Sequence, residues 1–314
     1  MKLIIRVTLF FLIGTSLACY GQRYRDQIFN EVSKETVTYH KEKDLQMDIY
    51  QPTEDSHQKR PVLLFVHGGG FAGGARDEPE IMDFCKNMAR RGVVAVSMSY
   101  TLVMKGKSFS CDRPAKEKMW TFKHVAQEIV DATNYLLAQK QSLSIDPNTI
   151  VLAGSSAGAE AVMHAAYWPE AQKSLPEDFN YAGVISMAGA IYDVDLITKE
   201  SAIPTQLFHG TCDELVPYGT ASHHYCDENE VGYLVLHGPE TIMKRLQSLN
   251  KGYYAVTGCN DRHLWAGKPF KKYRSEIADF LLYDVIQGKT RQIHEINSPT
   301  GTCQLVDAPS ICND

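Results

Sequence analysis

Six short, predominantly apolar runs punctuate the chain: Val62–Val66, Val93–Val96, Ile150–Ala153, Val184–Met187, Gln206–Phe208 and Tyr253–Val256. Runs of this length, with little alternation, predict strands buried on both faces. Between them the apolar period lengthens toward 3.6. One predicted helix places Val125, Ile129, Leu136 and Leu137 on a single side, and the last buries Ile277, Phe280, Leu281 and Val285. Ahead of these, Thr36–Tyr39 and Leu45–Tyr50 alternate apolar and polar residues, which predicts an antiparallel opening hairpin. Strands alternating with helices predict an α/β protein, a doubly wound, mostly parallel sheet with helices on both faces. Loops leaving the carboxyl ends of such strands converge on one cleft.

Two of those loops carry unusual sequences. Ile150-Val151-Leu152-Ala153 runs directly into Gly154-Ser155-Ser156-Ala157-Gly158, a G-x-S-x-G pattern at a strand-to-helix turn. A sharp turn there holds Ser156 in strained backbone geometry with its side chain above the sheet, and the two glycines avoid collision across the turn. Ser156 is therefore the candidate nucleophile. Val62–Val66 ends in His67-Gly68-Gly69-Gly70-Phe71. Three glycines let a backbone present its N–H groups to a ligand unobstructed. Fixed donors aimed at the oxygen of an attacked ester carbonyl are each worth roughly 3 to 4 kcal/mol of barrier, and Gly69, Gly70 and the N–H of Ala157 are the candidates.

A serine hydroxyl needs a base, and the base an acid to orient it. Downstream, Leu207-Phe208-His209-Gly210-Thr211-Cys212-Asp213-Glu214-Leu215-Val216-Pro217 reads as a strand followed by an acid-bearing loop, with Asp213 the favoured acid and Glu214 and Asp261 its competitors. Tyr253–Val256 leads into Thr257-Gly258-Cys259-Asn260-Asp261-Arg262-His263, with His263 the favoured base. Cys212 and Cys259 lie near these groups on loops that must meet, so a disulfide joining them is expected to brace acid loop against base loop.

HGGGF, GSSAGA, HGTCDELVPY and a late loop histidine, in that order, resemble the α/β-hydrolase fold carboxylesterases, including the hormone-sensitive-lipase-like and feruloyl-esterase-like branches. The resemblance covers roughly residues 35 to 287. It implies a triad of Ser156, Asp213 and His263, an oxyanion hole of Gly69, Gly70 and Ala157, and no cofactor or metal. The chain departs from the pattern at Ser155, where the family often has an acid, and at Ala159-Glu160, which replace a further glycine and a polar residue. The implied reaction is acyl transfer to water through an acyl-enzyme. Its base is neutral imidazole, so activity is expected to fall below about pH 6 to 7.

Of the remaining histidines, His209 is expected to pack or hold its loop, His67 to bond within its glycine loop, and His164 to lie out of reach on the helix after the nucleophile. His223-His224-Tyr225-Cys226-Asp227-Glu228 reads as a solvated loop rather than a metal site, because adjacent side chains converge poorly on one ion. An insertion over 101–122 reads as a cap whose Phe109, Met119 and Trp120 could wall a pocket. A prolyl-oligopeptidase-type peptidase and a catalytically dead binding protein share the fold, but no residues remain for a propeller and no triad member is missing. No large apolar lid suggests an interfacial lipase.

A formal charge of −5 over 314 residues argues against nucleic acid as a partner. The catalytic domain is expected over 35–287, after a lead-in over 22–34 and before a tail over 288–314. Basic residues to Arg6, the apolar core Val7–Ile13 and the small residues Gly14–Gly21 resemble a signal peptide too short to span a bilayer, which implies a secreted or periplasmic protein. Leu17-Ala18-Cys19 faintly resembles a lipoprotein box, so lipidation at Cys19 is the one route to membrane attachment, with cleavage before Gln22 the competing outcome. Of eight cysteines, loss or lipidation of Cys19 leaves an odd number. Cys303 and Cys312 are expected to close a local loop in the tail, with Cys85 buried and free. Export and resemblance together suggest short-chain or aryl esters, including acylated polysaccharide fragments, as small-molecule or oligosaccharide substrates.

Overall fold

The computed structural model describes residues 22–299, 301–305 and 310–312. The signal-peptide and lipidation readings over 1–21 lie outside the described residues. The opening hairpin pairs β1 (Val32–His40) with β2 (Leu45–Pro52) antiparallel. The predicted strands follow as β3 (Arg60–Val66), β4 (Val94–Met98), β5 (Ile145–Ser155), β6 (Gly183–Met187) and β7 (Thr205–Gly210). After a two-stranded antiparallel pair, β8 (Thr220–Ser222) with β9 (Val235–His237), come β10 (Tyr253–Gly258) and β11 (Gln292–Asn297). The main sheet runs in the order β1-β2-β4-β3-β5-β6-β7-β10-β11, parallel from β4 onward. The expected doubly wound α/β sheet is borne out.

Two helical layers cover it because each central strand is apolar on both sides. Val62, Leu64 and Val66 face the layer holding α2 (Ala115–Ala138) and α3 (Ala157–Tyr167), while Leu63 and Phe65 face α1 (Pro79–Ala89). The short α4 (Pro169–Gln172) and α5 (Pro239–Ser248) lie on the α2 side, where Ala171, Ile242 and Leu246 are buried. α6 (Lys268–Lys272) and α7 (Arg274–Phe280) lie on the α1 side. Of the two predicted helical faces, Val125, Ile129, Leu136, Ile277, Phe280 and Leu281 are buried, whereas Leu137 and Val285 are half-buried at the margins. Truncating a fully buried residue such as Leu64 to alanine costs roughly 2–5 kcal/mol. Among the described residues, no helix is long and apolar enough to cross a membrane.

The tail departs from expectation. Residues 292–297 add a ninth strand beside β10, and Cys303 and Cys312 beyond it are bonded to the loops that follow β7 and β10. Among the described residues the disulfides are Cys111–Cys226, Cys212–Cys303 and Cys259–Cys312, with Cys85 buried and free. Neither the expected Cys212–Cys259 bridge nor a Cys303–Cys312 loop forms. Cys212 and Cys259 leave adjacent strands, but each takes a tail cysteine, so the tail straps both loops instead of the loops strapping each other. The two tail bridges span 91 and 53 residues. On the chain-entropy view each contributes roughly 4 kcal/mol, so reduction is expected to lower the urea midpoint of unfolding substantially. An unchanged midpoint in dithiothreitol, with thiols shown to be free, would contradict this.

Candidate active site

β5 ends at Ser155 and α3 begins at Ala157, leaving Ser156 alone at the turn with φ 53° and ψ −124°. That left-handed backbone is sparsely populated for a non-glycine residue, and it lifts the side chain off the sheet. Two close approaches hold it. A Cβ on Gly154 would sit 2.2 Å from the Gly158 carbonyl oxygen, and one on Gly158 would sit 2.2 Å from that of Val66. The first is the collision across the turn expected from sequence. The second is different: Gly158 is required by the neighbouring strand β3.

Ser156 Oγ lies 2.8 Å from His263 Nε2, and His263 Nδ1 lies 2.7 Å from Asp213 Oδ2. Three residues far apart in sequence thus form one hydrogen-bonded line, because β5, β7 and β10 end on the same side of the sheet. Asp213 is fully buried. Its Oδ1 accepts from the N–H groups of Leu215 (3.0 Å) and Val216 (3.1 Å), and His209 Nε2 lies 3.2 Å from Oδ2. Burial opposes ionisation, yet the hydrogen bonds from His209 and His263 outweigh it and hold the carboxyl well below the usual carboxylate range. His209 also donates through Nε2 to the Val216 carbonyl (2.9 Å), which gives it the loop-holding role.

The glycine loop runs through positive φ at Gly69 (108°), Gly70 (60°) and Phe71 (57°). His67 Nδ1–H donates to the Gly68 carbonyl (2.8 Å) and its ring stacks on Tyr100, closing the loop on itself as expected. Among the described residues, the amides of Gly69 and Gly70 have no hydrogen-bond acceptor. They line a cleft of about 540 Å³ together with Ser156, Ala157 and His263, so the candidate oxyanion donors and the candidate nucleophile share one cavity.

The sequence model of the BD-FAE family matches residues 47–238, more than half of the chain. The chain belongs to the BD-FAE family. It is similar to probable carboxylesterase 1 of Arabidopsis thaliana, 29% identical over 160 residues, which cover 49% of this chain and 48% of that one. It is also similar to the ethyl acetate hydrolase of Pseudomonas putida, 26% identical over 133 residues, covering 42% and 37%. The chain spans less than half the length of these curated relatives. The butyrate-bound structure of an esterase from the planctomycete Thermogutta terrifontis superposes with a TM-score of 0.57 at 18% identity, over 80% of this chain and 94% of that one, and shares its fold.

In this BD-FAE protein the residue before Ser156, Ser155, donates through Oγ to the Ala266 carbonyl (2.6 Å), tying the end of β5 to the turn that carries His263. The competing acids are committed elsewhere. Glu214 pairs with Arg262, and Asp261 accepts from Trp265 Nε1 (2.9 Å) and Lys268 Nζ (3.2 Å).

The cap reading is correct for part of the insertion. Cys111 is bridged to Cys226, the Gly232 N–H donates to the Cys111 carbonyl (3.0 Å), and the Ala115 N–H donates to that of Val231 (2.8 Å), so 101–114 and 223–232 form one wall over the cleft. Phe109 lines it. Trp120 does not: it is 52% exposed and stacks on His124, because it falls on the solvent side of α2. Met119 packs against the core beneath α2 instead. The solvated-loop reading of His223 is overturned. His223 is buried and lines the cleft beside His224. The signal that could have found it was cysteine pairing, since Cys111–Cys226 draws this segment inward.

His164 lies away from the cleft, as expected. Its Nδ1–H donates to the Glu160 carbonyl (2.6 Å) and its Nε2 accepts from the Tyr192 N–H (3.3 Å), so both nitrogens are satisfied only in the neutral ring. Burial pushes it down to about 4. The unfolded chain therefore binds the proton first, and stability falls as pH drops from about 6.5 toward 4. By pH 5 the loss from His164 is about 2 kcal/mol. Thermal unfolding is expected to show a lower Tm at pH 5 than at pH 7, with a shallower slope in His164→Gln; identical slopes would refute the assignment.

Proposed function

We propose that this BD-FAE protein is a serine carboxylesterase acting on short-chain acyl or aryl esters through a Ser156–His263–Asp213 triad and an acyl-enzyme. The observation that carries this reading is the continuous Ser156 Oγ, His263 Nε2, His263 Nδ1, Asp213 Oδ2 line at 2.8 and 2.7 Å, opening on a cleft with unengaged amides. In the first half-reaction His263 takes the proton of Ser156 as Oγ attacks the ester carbonyl. The N–H groups of Gly69, Gly70 and Ala157 stabilise the oxyanion, and His263 then returns the proton to the departing alcohol. In the second half, water attacks the acyl-enzyme with His263 again as base. Asp213 stays ionised throughout, keeping the proton on Nδ1 and supporting the transient imidazolium.

The names of an ethyl acetate hydrolase and a butyrate-bound esterase among similar proteins support short acyl chains. Acylated polysaccharide fragments are the natural substrates we favour. Export is part of the same proposal, and three disulfides support it, since such bridges persist in oxidising compartments. The test is hydrolysis of p-nitrophenyl acetate, butyrate and decanoate by the folded protein. Turnover of the two shorter esters at least about tenfold above decanoate is expected, a difference of about 1.4 kcal/mol in barrier. Absence of turnover on all three would sink the reading.

A further inference from the structure

One turn beyond Ser156, α3 carries a carboxyl into the same cleft. Glu160 is 2% exposed and His223 1%, and Glu160 Oε1 lies 3.4 Å from His223 Nε2. Both residues line the cavity that holds Ser156. Among the described residues, neither Oε1 of Glu160 nor Nδ1 of His223 has a hydrogen-bond partner. A buried polar group left unpaired is costly, and a native structure that keeps two of them on residues beside a cavity calls for an explanation. Side chains on a helix lean toward its N-terminus, so Glu160 is directed back toward the nucleophile rather than away from it.

The wall presenting His223 is held under strain. His224 and Tyr225 have φ of 60° and 53°, consecutive left-handed residues that are not glycine. They are kept there by the Cys111–Cys226 bridge and by the His223 N–H donating to Leu234 and the His224 N–H to Leu215 (2.8 and 2.9 Å). Phe109 packs edge-on against the His223 ring at 5.3 Å. Burial raises Glu160 well above the usual carboxylate range, though the nearby Lys118 opposes it, and burial pushes His223 well below the usual imidazole range. Lys118 donates to the Gly232 carbonyl (2.8 Å). Burial favours the uncharged form of both groups, and an uncharged carboxyl and an uncharged imidazole each offer one donor and an acceptor.

We propose that Glu160 and His223 form a subsite for a hydroxyl group of the ester, in the cavity that also holds Ser156. A hydroxyl donates and accepts at once, matching the pair, whereas an alkyl group would leave both unpaired. The inference rests on the esterase reading and adds a substrate class to it: hydroxylated esters, with the hydroxyl on the acid or on the alcohol side.

Hydrolysis of ethyl acetate, ethyl glycolate and glyceryl monoacetate is followed by pH-stat for wild type, Glu160→Leu, Glu160→Gln and His223→Phe, each checked for folding by circular dichroism. Relative to ethyl acetate, kcat/KM for one hydroxylated ester is expected to fall about tenfold in Glu160→Leu and His223→Phe. Glu160→Gln, which keeps a donor and an acceptor, retains most of the preference, and His223→Phe decides the matter if the leucine variant fails to fold. Loss for glycolate places the hydroxyl on the acid side, and loss for glyceryl monoacetate on the alcohol side. Equal losses on all three esters, or unchanged ratios, overturn the subsite. Saturation-transfer NMR of the same esters on Ser156→Ala protein, with and without Glu160→Leu, reads binding without turnover. Hydroxyl-dependent binding with no hydrolysis by wild type would sink the esterase reading alone, and hydrolysis blind to the hydroxyl would sink the subsite alone.

Discussion

Ser156→Ala is expected to lower kcat on p-nitrophenyl butyrate by about 10⁶, or about 8 kcal/mol of transition-state stabilisation, while leaving the protein folded. Alanine keeps the backbone at φ 53° without new collisions, because only Oγ is removed and that atom's partner is His263 Nε2. The amides of Gly69, Gly70 and Ala157 stay in place, so a residual rate above the uncatalysed one is expected from oxyanion stabilisation alone. The decisive measurement is single-turnover kinetics, with mass spectrometry of the acid-quenched protein to detect an acyl group on Ser156. Retention of more than about one hundredth of the wild-type kcat would mean that another group supplies the nucleophile.

Asp213→Asn is expected to lower kcat by about 10⁴ with little change in KM. The cause is specific to how this carboxylate is held. Its Oδ1 accepts from the amides of Leu215 and Val216, a position only an acceptor can fill. Asparagine must therefore keep its carbonyl there and turn its NH₂ toward His263 Nδ1. The imidazole can answer only by baring Nδ1 and carrying its proton on Nε2, the tautomer that cannot take a proton from Ser156. The same NH₂ would face His209, whose Nε2 is already committed as a donor to Val216, so some loss of stability accompanies the loss of rate. Activity within tenfold of wild type would show that Asp213 is not the orienting acid. An imidazole resonance of His263 reporting the same tautomer in both proteins would do so independently of any substrate.

Much of this protein is written locally. Val62–Val66 and Ile150–Ala153 read as doubly buried strands, and the glycines after each serve close backbone approach or, as at Gly70, a positive φ with open space beside it. Those two facts alone place an N–H-lined loop beside a strained serine. The loops that bear His263 and Asp213 were legible because each follows a strand of the same parallel sheet, and parallel strands must release their loops on one side; the preference for Asp213 over Glu214 and Asp261 rested on the resemblance. Pairing was not legible. Cys212, Cys259, Cys303 and Cys312 admit several connectivities at comparable loop entropy, and the choice was made by where β11 delivers the tail. Trp120 and Phe109 look alike as aromatic residues of one insertion, yet one faces water and the other the cleft, according to which side of α2 and which end of a disulfide each falls on.

The sequence by itself determined the sheet as far as β10, its layers and the reactive loops, because these rest on short-range rules: periodicity, turn geometry and strand polarity. Only the tertiary structure decided what surrounds the reaction. Glu160 reads as an ordinary helical residue, and His223 as one of two adjacent loop histidines. Their meeting at 3.4 Å in a shared cavity comes from a disulfide between residues 115 positions apart and from two strained dihedrals. Long-range constraints of that kind leave no periodic trace in the chain, since their free energy comes from burial and closure that exist only once the fold is complete.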